Sequence, residues 1–183
     1  MISPLINTNV LSSMRTNHGD SLKDLSTKKP VFLVFLRHFG CVFCKEALSD
    51  LSEMLDTIRN KNIHLVVVHM ATNDLAEKYF STYKLEDVSH VSDPNMRYYQ
   101  DFGLAKGRFS QLYGLSTWIR GMSVKNKPHK LELAKQLGDV TQMPGIFTLF
   151  KNEIIESYIH RRASELPDYE GLLKRAFEKA TAT

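Results

Sequence analysis

Residues 31–48 read Val31-Phe32-Leu33-Val34-Phe35-Leu36-Arg37-His38-Phe39-Gly40-Cys41-Val42-Phe43-Cys44-Lys45-Glu46-Ala47-Leu48. Six consecutive apolar residues rich in Val and Phe predict a short strand buried on both faces. A polar turn containing Gly40 follows, and a Cys-x-x-Cys then opens a helical pattern. The chain's two cysteines both lie here. The rest of the sequence can be read as the frame that holds them.

Downstream, Ala47 or Leu48, Leu51, Leu55 and Ile58 recur at helical spacing and define one apolar face. Asn60-Lys61-Asn62 breaks the pattern, and Ile63 to His69 reads as a second buried strand. Strand, helix and strand with short connections predict a right-handed βαβ unit with parallel strands. Asn73 is placed to cap a helix carrying Leu75, Ala76, Tyr79, Phe80 and Tyr83. His90-Val91-Ser92 reads as a short strand. Asn95 is placed to cap a brief helix through Met96, Tyr99 and Phe102, ended by Gly103. A broken helix is expected from Gly107 to about Ser123, then an exposed connection from Lys125 to Asp139. Gly145–Phe150 and Ile154–His160 flank Lys151-Asn152-Glu153 as a hairpin. A last helix follows from near Asp168 to Ala180, with Tyr169, Leu172, Leu173, Ala176 and Phe177 inward. The order βαβ, helical insertion, ββα predicts an α/β thioredoxin-like fold, a central mixed sheet flanked by helices.

Upstream, residues 1–20 are polar and aperiodic and are expected to be a flexible arm. Ser21 to Ser26 is read as a turn or short extended piece, and residues 21–183 as one domain. Twenty-four basic residues nearly balance 20 acidic ones, for a net charge of +4. With no basic run or basic–aromatic stripe, nucleic acid is not an expected partner. No apolar run reaches the length of a membrane span. The first eleven residues lack the basic and apolar regions of a signal peptide, so a reducing, cytoplasmic location is expected.

At a strand-to-helix turn, Cys41 would stand at a helix N-terminus, where amide N–H groups and the macrodipole favour thiolate over thiol. Arg37, His38 and Lys45 are candidate positive neighbours, and His38 is also a candidate base. Cys44, one turn on, is placed to close an intramolecular disulfide. Two blander readings stand beside this one: a buried inert pair, or half a zinc site. Zinc would need two of the seven histidines as well, and no two show finger-like spacing. A Cys-x-x-Cys beside a βαβ pattern favours the redox reading. Met143-Pro144, just before a predicted strand, stands where thioredoxin-like folds often turn a cis-proline toward the cysteines, with Gln142 beside it. Gln142 is read first as a surface residue, Asp168 as a helix cap, and Tyr98, Tyr99 and Trp118 as core or groove aromatics.

Val31–Leu48 is similar to the active-site segment of the AhpC/TSA-type peroxiredoxin-like proteins, the group that includes the prostamide/prostaglandin F synthases. The similarity continues through Val66–Met70, Ser92-Asp93-Pro94, Tyr99–Leu104, Gly138-Asp139, Gln142–Phe147, His160 and Pro167-Asp168-Tyr169. The resemblance implies a thioredoxin fold with a peroxiredoxin-type helical insertion and a thiol oxidoreductase. It would reduce a small peroxide or disulfide, draw on a thioredoxin- or glutathione-type reductant and need no metal or organic cofactor. A homodimer is one assembly open to it. Aligned with peroxiredoxins, Cys44 falls on their peroxidatic cysteine and Cys41 on their threonine; aligned with thioredoxins, Cys41 attacks and Cys44 resolves. Arg37 takes the register of a proline in typical peroxiredoxins, and Pro144 that of their peroxide-binding arginine. These departures bear on peroxide reduction more than on thiol–disulfide exchange. Two alternatives accompany the reading: a reductase of a specific endoperoxide-like molecule, and a non-catalytic module that senses redox state or holds zinc.

Overall fold

The computed structural model describes residues 6–107 and 138–182. Five strands, β1 (Val31–Phe35), β2 (His64–His69), β3 (Ser89–Ser92), β4 (Gly145–Phe150) and β5 (Glu153–Ile159), form one sheet ordered β3-β2-β1-β4-β5. β1 lies parallel to β2, with Val31 opposite His64 and Phe35 opposite Val68. On its other edge it runs antiparallel to β4, with Val31 opposite Leu149. The sheet is therefore mixed, as expected.

All five β1 residues are buried, because helices cover both faces of the sheet. Phe32 and Val34 enter one core with Leu48, Leu51, Leu55 and Ile58 of helix α3 (Val42–Asn60). Leu172 and Leu173 of a C-terminal helix join that core. Val31, Leu33 and Phe35 enter the opposite core, with Tyr99 and the N-terminal residues Leu11, Met14, Leu22 and Leu25. Each such side chain contributes about 1.5–3 kcal/mol by leaving water. The central strand thus fixes the position of the turn that follows it.

The expected arm is instead structured. Residues 8–13 form α1 (Thr8–Ser13), with the Asn7 side chain accepting from Asn9 N–H at 2.9 Å. Leu11 and Met14 are fully buried, so the packing does not change at residue 20. The expected turn after it is α2 (Leu22–Lys28), capped by Ser21 Oγ accepting from Asp24 N–H at 3.1 Å. Helices this short are set by burial of one face rather than by propensity.

Two caps also shift. α4 (Asn73–Thr82) has Thr72, not Asn73, at its N-cap. α5 (Arg97–Asp101) follows Met96 in left-handed conformation at φ 56°. Its first amides are taken not by Asn95 but by Asp93, whose carboxylate accepts from Arg97 N–H at 3.0 Å and Tyr98 N–H at 2.8 Å. The hairpin turns through Lys151 and Asn152, both at positive φ, as a tight two-residue connection requires. α6 (Tyr169–Thr181) has Asp168 as its cap, accepting from Gly171 N–H at 2.9 Å. Phe177 on α6 is 38% exposed rather than inward, with Lys61 Nζ over its ring. The insertion between β3 and β4 holds α5. The expected broken helix, Trp118 and most of the expected connection lie outside the described residues. Among the described residues no helix is long and apolar enough to cross a membrane.

Candidate active site

β1 ends at Phe35, and the chain turns through residues 36–40 before α3 begins at Val42. The turn is pinned by Tyr99, whose hydroxyl donates to the carbonyls of Leu36 and, at 3.2 Å, of Val68. Cys41 is the N-cap residue of α3, with extended backbone at ψ 130°. Cys44 lies one turn into the helix. Both are free thiols and both are buried, at 6% and 4% exposure.

The two sulfurs differ in what surrounds them. Arg37, only 6% exposed, sends Nη1 to Cys41 Sγ at 3.4 Å. Its other donors, Nε at 2.9 Å and Nη2, both reach the carbonyl oxygen of Val140. A guanidinium out of water needs negative charge nearby, and the sulfur it touches can supply it by losing a proton. The Cys41 thiol is accordingly held down to about 6, first by a hydrogen bond from Cys44 and then by Arg37 and the first-turn amides, against the opposing effect of burial. Cys41 makes no geometrically complete cap bond, so those amides act as oriented dipoles. Cys44 is pushed well above the ordinary thiol range by burial and by its neighbour Cys41, although His38 N–H donates to its sulfur at 3.4 Å. The two sulfurs are thus set apart, one favoured as thiolate and the other held as the thiol that hydrogen-bonds it.

The remaining sequence candidates separate. His38 meets Cys44 through its backbone; its imidazole is lowered to about 4 by burial and then by Arg37. At neutral pH it is neither a cation nor an effective base. Lys45 is half-buried in the first turn of α3. Gln142 neither lines the pair nor lies on the surface: it is buried, and its amide donates to the carbonyl of Leu104 at 2.9 Å. Met143 is buried against Ala163. Pro144 does face the pair, across a recess, but through a trans bond, since no cis peptide occurs among the described residues.

That recess encloses about 470 Å³, including its solvent-open mouth, and both cysteines line it. Phe43, Ala47, Ile146 and Leu166 supply apolar wall, while His160, Glu165 and Tyr169 supply polar groups. His160 is lowered to about 4 by burial, so it too is neutral there. Sequence reasoning had no signal for Glu165, and none for Val140, whose contribution is a backbone carbonyl. Arg37 was legible as a neighbour, but not as the group that binds sulfur and carbonyl together.

The family model described as "AhpC/TSA antioxidant enzyme" matches residues 50–164 of this chain. The matched segment begins beyond Cys44, so it rests on the frame around the pair. Human peroxiredoxin-like 2C is 26% identical over 151 residues, covering 78% of this chain and 65% of its own length. The chain thus spans just under two thirds of that relative. The chloroplastic thioredoxin-like protein AAED1 of Arabidopsis thaliana is 27% identical over 86 residues, covering 47% of this chain and 34% of its own. Among solved structures, Xanthomonas campestris peroxiredoxin Q superposes with a TM-score of 0.64 at 12% identity, covering 98% of this chain and 97% of that one. Enterococcus faecalis AhpC does so with a TM-score of 0.60 at 15% identity, covering 89% and 81%. These structural likenesses bear out the thioredoxin-like fold.

Proposed function

The chain belongs to the AhpC/TSA antioxidant-enzyme family, a peroxiredoxin-like thioredoxin-fold group, and from that premise we propose a thiol-dependent oxidoreductase in which Cys41 attacks and Cys44 resolves. The observation that carries this reading is the buried Arg37 guanidinium on Cys41 Sγ. It favours the nucleophilic form of one cysteine and leaves its neighbour protonated.

The Cys41 thiolate attacks one sulfur of a disulfide, releasing a thiolate, or the terminal oxygen of a hydroperoxide, releasing an alcohol and leaving a sulfenic acid. Cys44 gives up its proton and displaces the second thiol, or water, as the Cys41–Cys44 bond forms. Substrate gains two electrons and the pair loses two. A thioredoxin- or glutathione-type thiol returns the pair to the dithiol by two exchanges, and a reducing compartment such as the cytoplasm suits that cycle. The thiols line a recess walled largely by apolar groups, which suits a small organic peroxide or disulfide. The guanidinium that peroxiredoxins carry near Pro144 is here supplied from the end of β1 by Arg37.

The test is alkylation of the reduced protein against pH, read by intact mass before and after a substoichiometric peroxide. Modification of Cys41 with a midpoint below neutrality, and loss of two hydrogens on oxidation, are expected. Cys44→Ser should stay fast and accumulate a mixed disulfide or sulfenic acid, whereas Cys41→Ser should be slow. Fast Cys41→Ser with slow Cys44→Ser would reverse the order of attack. Two slow thiols in the wild type would end the reading.

A further inference from the structure

We propose that Asp139, which touches neither sulfur, is a positioning residue that fixes Arg37 against Cys41 by shaping the turn that presents the Val140 carbonyl. This rests on the reading of Cys41 as the attacking thiolate.

Asp139 Oδ1 accepts from Thr141 N–H at 2.7 Å and from the Thr141 hydroxyl at 2.6 Å, while Oδ2 meets Lys106 Nζ at 2.8 Å. The carboxylate therefore braces the turn over Val140, which the Gln142 N–H also closes by donating to the Asp139 carbonyl at 3.2 Å, a side-chain turn of the kind Asp forms well. The Val140 side chain is 41% exposed, so its own packing does not set the direction of its carbonyl. The ends of the turn are anchored independently. Gly107 N–H donates to the Thr141 carbonyl at 2.7 Å, and Gly138, at φ +114°, lies so close to Met70 that an added Cβ would come within 2.8 Å. Between those anchors lies the carbonyl that takes two of the three Arg37 nitrogens. Holding Nε and Nη2 there leaves Nη1 aimed at sulfur.

Position and charge make opposite forecasts here. As a plain anion, Asp139 opposes a nearby thiolate, so deleting it would make Cys41 more acidic. As a positioning residue it supports the thiolate, so deleting it makes Cys41 less acidic. The other ionisable groups nearby are His38, on which Asp139 acts upward against burial and Arg37, and Glu46, Asp50, His160, Glu165 and Tyr169 of the recess, and none of them is substituted in the variants below.

The measurement is iodoacetamide labelling of Cys41 in the reduced full-length chain across pH 4–9, located by peptide mass. Asp139→Ala should raise the midpoint by about one unit, slowing labelling at pH 6 about fivefold. Asp139→Asn, which keeps an oxygen for Thr141 N–H, should restore most of the difference. Thr141→Ala removes one bond without changing charge, and should move the midpoint upward by a smaller amount. An unchanged or lowered midpoint in Asp139→Ala overturns the proposal, as does an Asn variant no better than the Ala one. If Asp139→Ala does not fold, which equal labelling of Cys44 would reveal, the Thr141→Ala shift decides. A wild-type midpoint in the ordinary thiol range would instead defeat the reading of Cys41 itself.

Discussion

Arg37 and Cys41 follow β1; His69 ends β2, and His90 lies on β3 beside it. Each is a buried polar pair near the same end of adjacent parallel strands. In the histidine pair, Nε2 of His69 lies 2.9 Å from Nδ1 of His90, among the rings of Phe39 and Phe80. The other nitrogens, His69 Nδ1 and His90 Nε2, are buried and meet no hydrogen-bond partner of full geometry among the described residues. Burial, reinforced for His69 by the neighbouring His90 imidazole and for His90 by that of His18, holds His69 down to about 3 and His90 to about 4. Two bases removed from water with no acid between them both stay neutral. A fixed cation removed from water beside an acid makes an ion pair instead. Burial alone does not decide whether a site is charged; the presence of one group that cannot give up its charge does.

The largest effect should come from removing that group. Arg37→Met, of similar volume, should raise the Cys41 midpoint by about two units and slow labelling at pH 6 about fiftyfold. An unchanged midpoint would mean that the hydrogen bond from Cys44 and the helix terminus sustain the thiolate without it. Arg37→Lys should fall between, since a point charge cannot serve sulfur and carbonyl as the planar fork does.

Next in size, the two pairs should weaken the fold in different pH ranges. An imidazole held below its unfolded value binds fewer protons when folded, so stability rises with pH from about 4 to the ordinary histidine value and is lost on acidification across it. His38 and His160 act in the same direction there. For the lowered Cys41 thiol, stability rises from about 6 toward the ordinary thiol range. Above that range the raised Cys44 thiol acts oppositely. Urea midpoints of the reduced protein should therefore climb in two steps. Cys41→Ser should flatten the upper step and His69→Phe with His90→Phe should reduce the lower. A single step lost in both variants would erase the distinction between the pairs.

The smallest effect tests the wall between them. Tyr99 ties the end of β1 to β2 through the carbonyls of Leu36 and Val68. Tyr99→Phe should cost about 1 kcal/mol in urea unfolding while the Cys41 midpoint moves by a few tenths of a unit. A large midpoint shift would show that the turn, and not Arg37, governs the thiol.

Much of this was legible in the sequence because it rests on strong periodicity. The apolar run of β1, the spacing Leu48, Leu51, Leu55 and Ile58 on α3, and the hairpin about Lys151-Asn152 all left direct signatures, although the turn proved one residue shorter than the Lys151-Asn152-Glu153 read from sequence. Ser21 and Asp24 do form a cap, but a seven-residue helix has too few turns to show a period. The pair Cys41 and Cys44 was equally visible. His38 changed meaning, since nothing local to the sequence tells that its ring is buried beside a guanidinium. The Val140 carbonyl has no side-chain signature at all, and its partner Arg37 lies far away in sequence. Contacts made by backbone across long separations are what pattern reading cannot reach.

The contact between Arg37 and Cys41 also bears on how readily the pair would accept electrons. A disulfide has no anionic sulfur, so oxidation would strip the buried guanidinium of its counterion, and the ion pair exists only in the dithiol form. Whatever stabilises the reduced form alone raises the reduction potential, by about 30 mV for each 1.4 kcal/mol. On the proposed reading, the guanidinium that favours the Cys41 thiolate would thereby make the Cys41–Cys44 bond a stronger oxidant, easier to reopen after each turnover. In such a device fast attack and easy recharging come from one side chain.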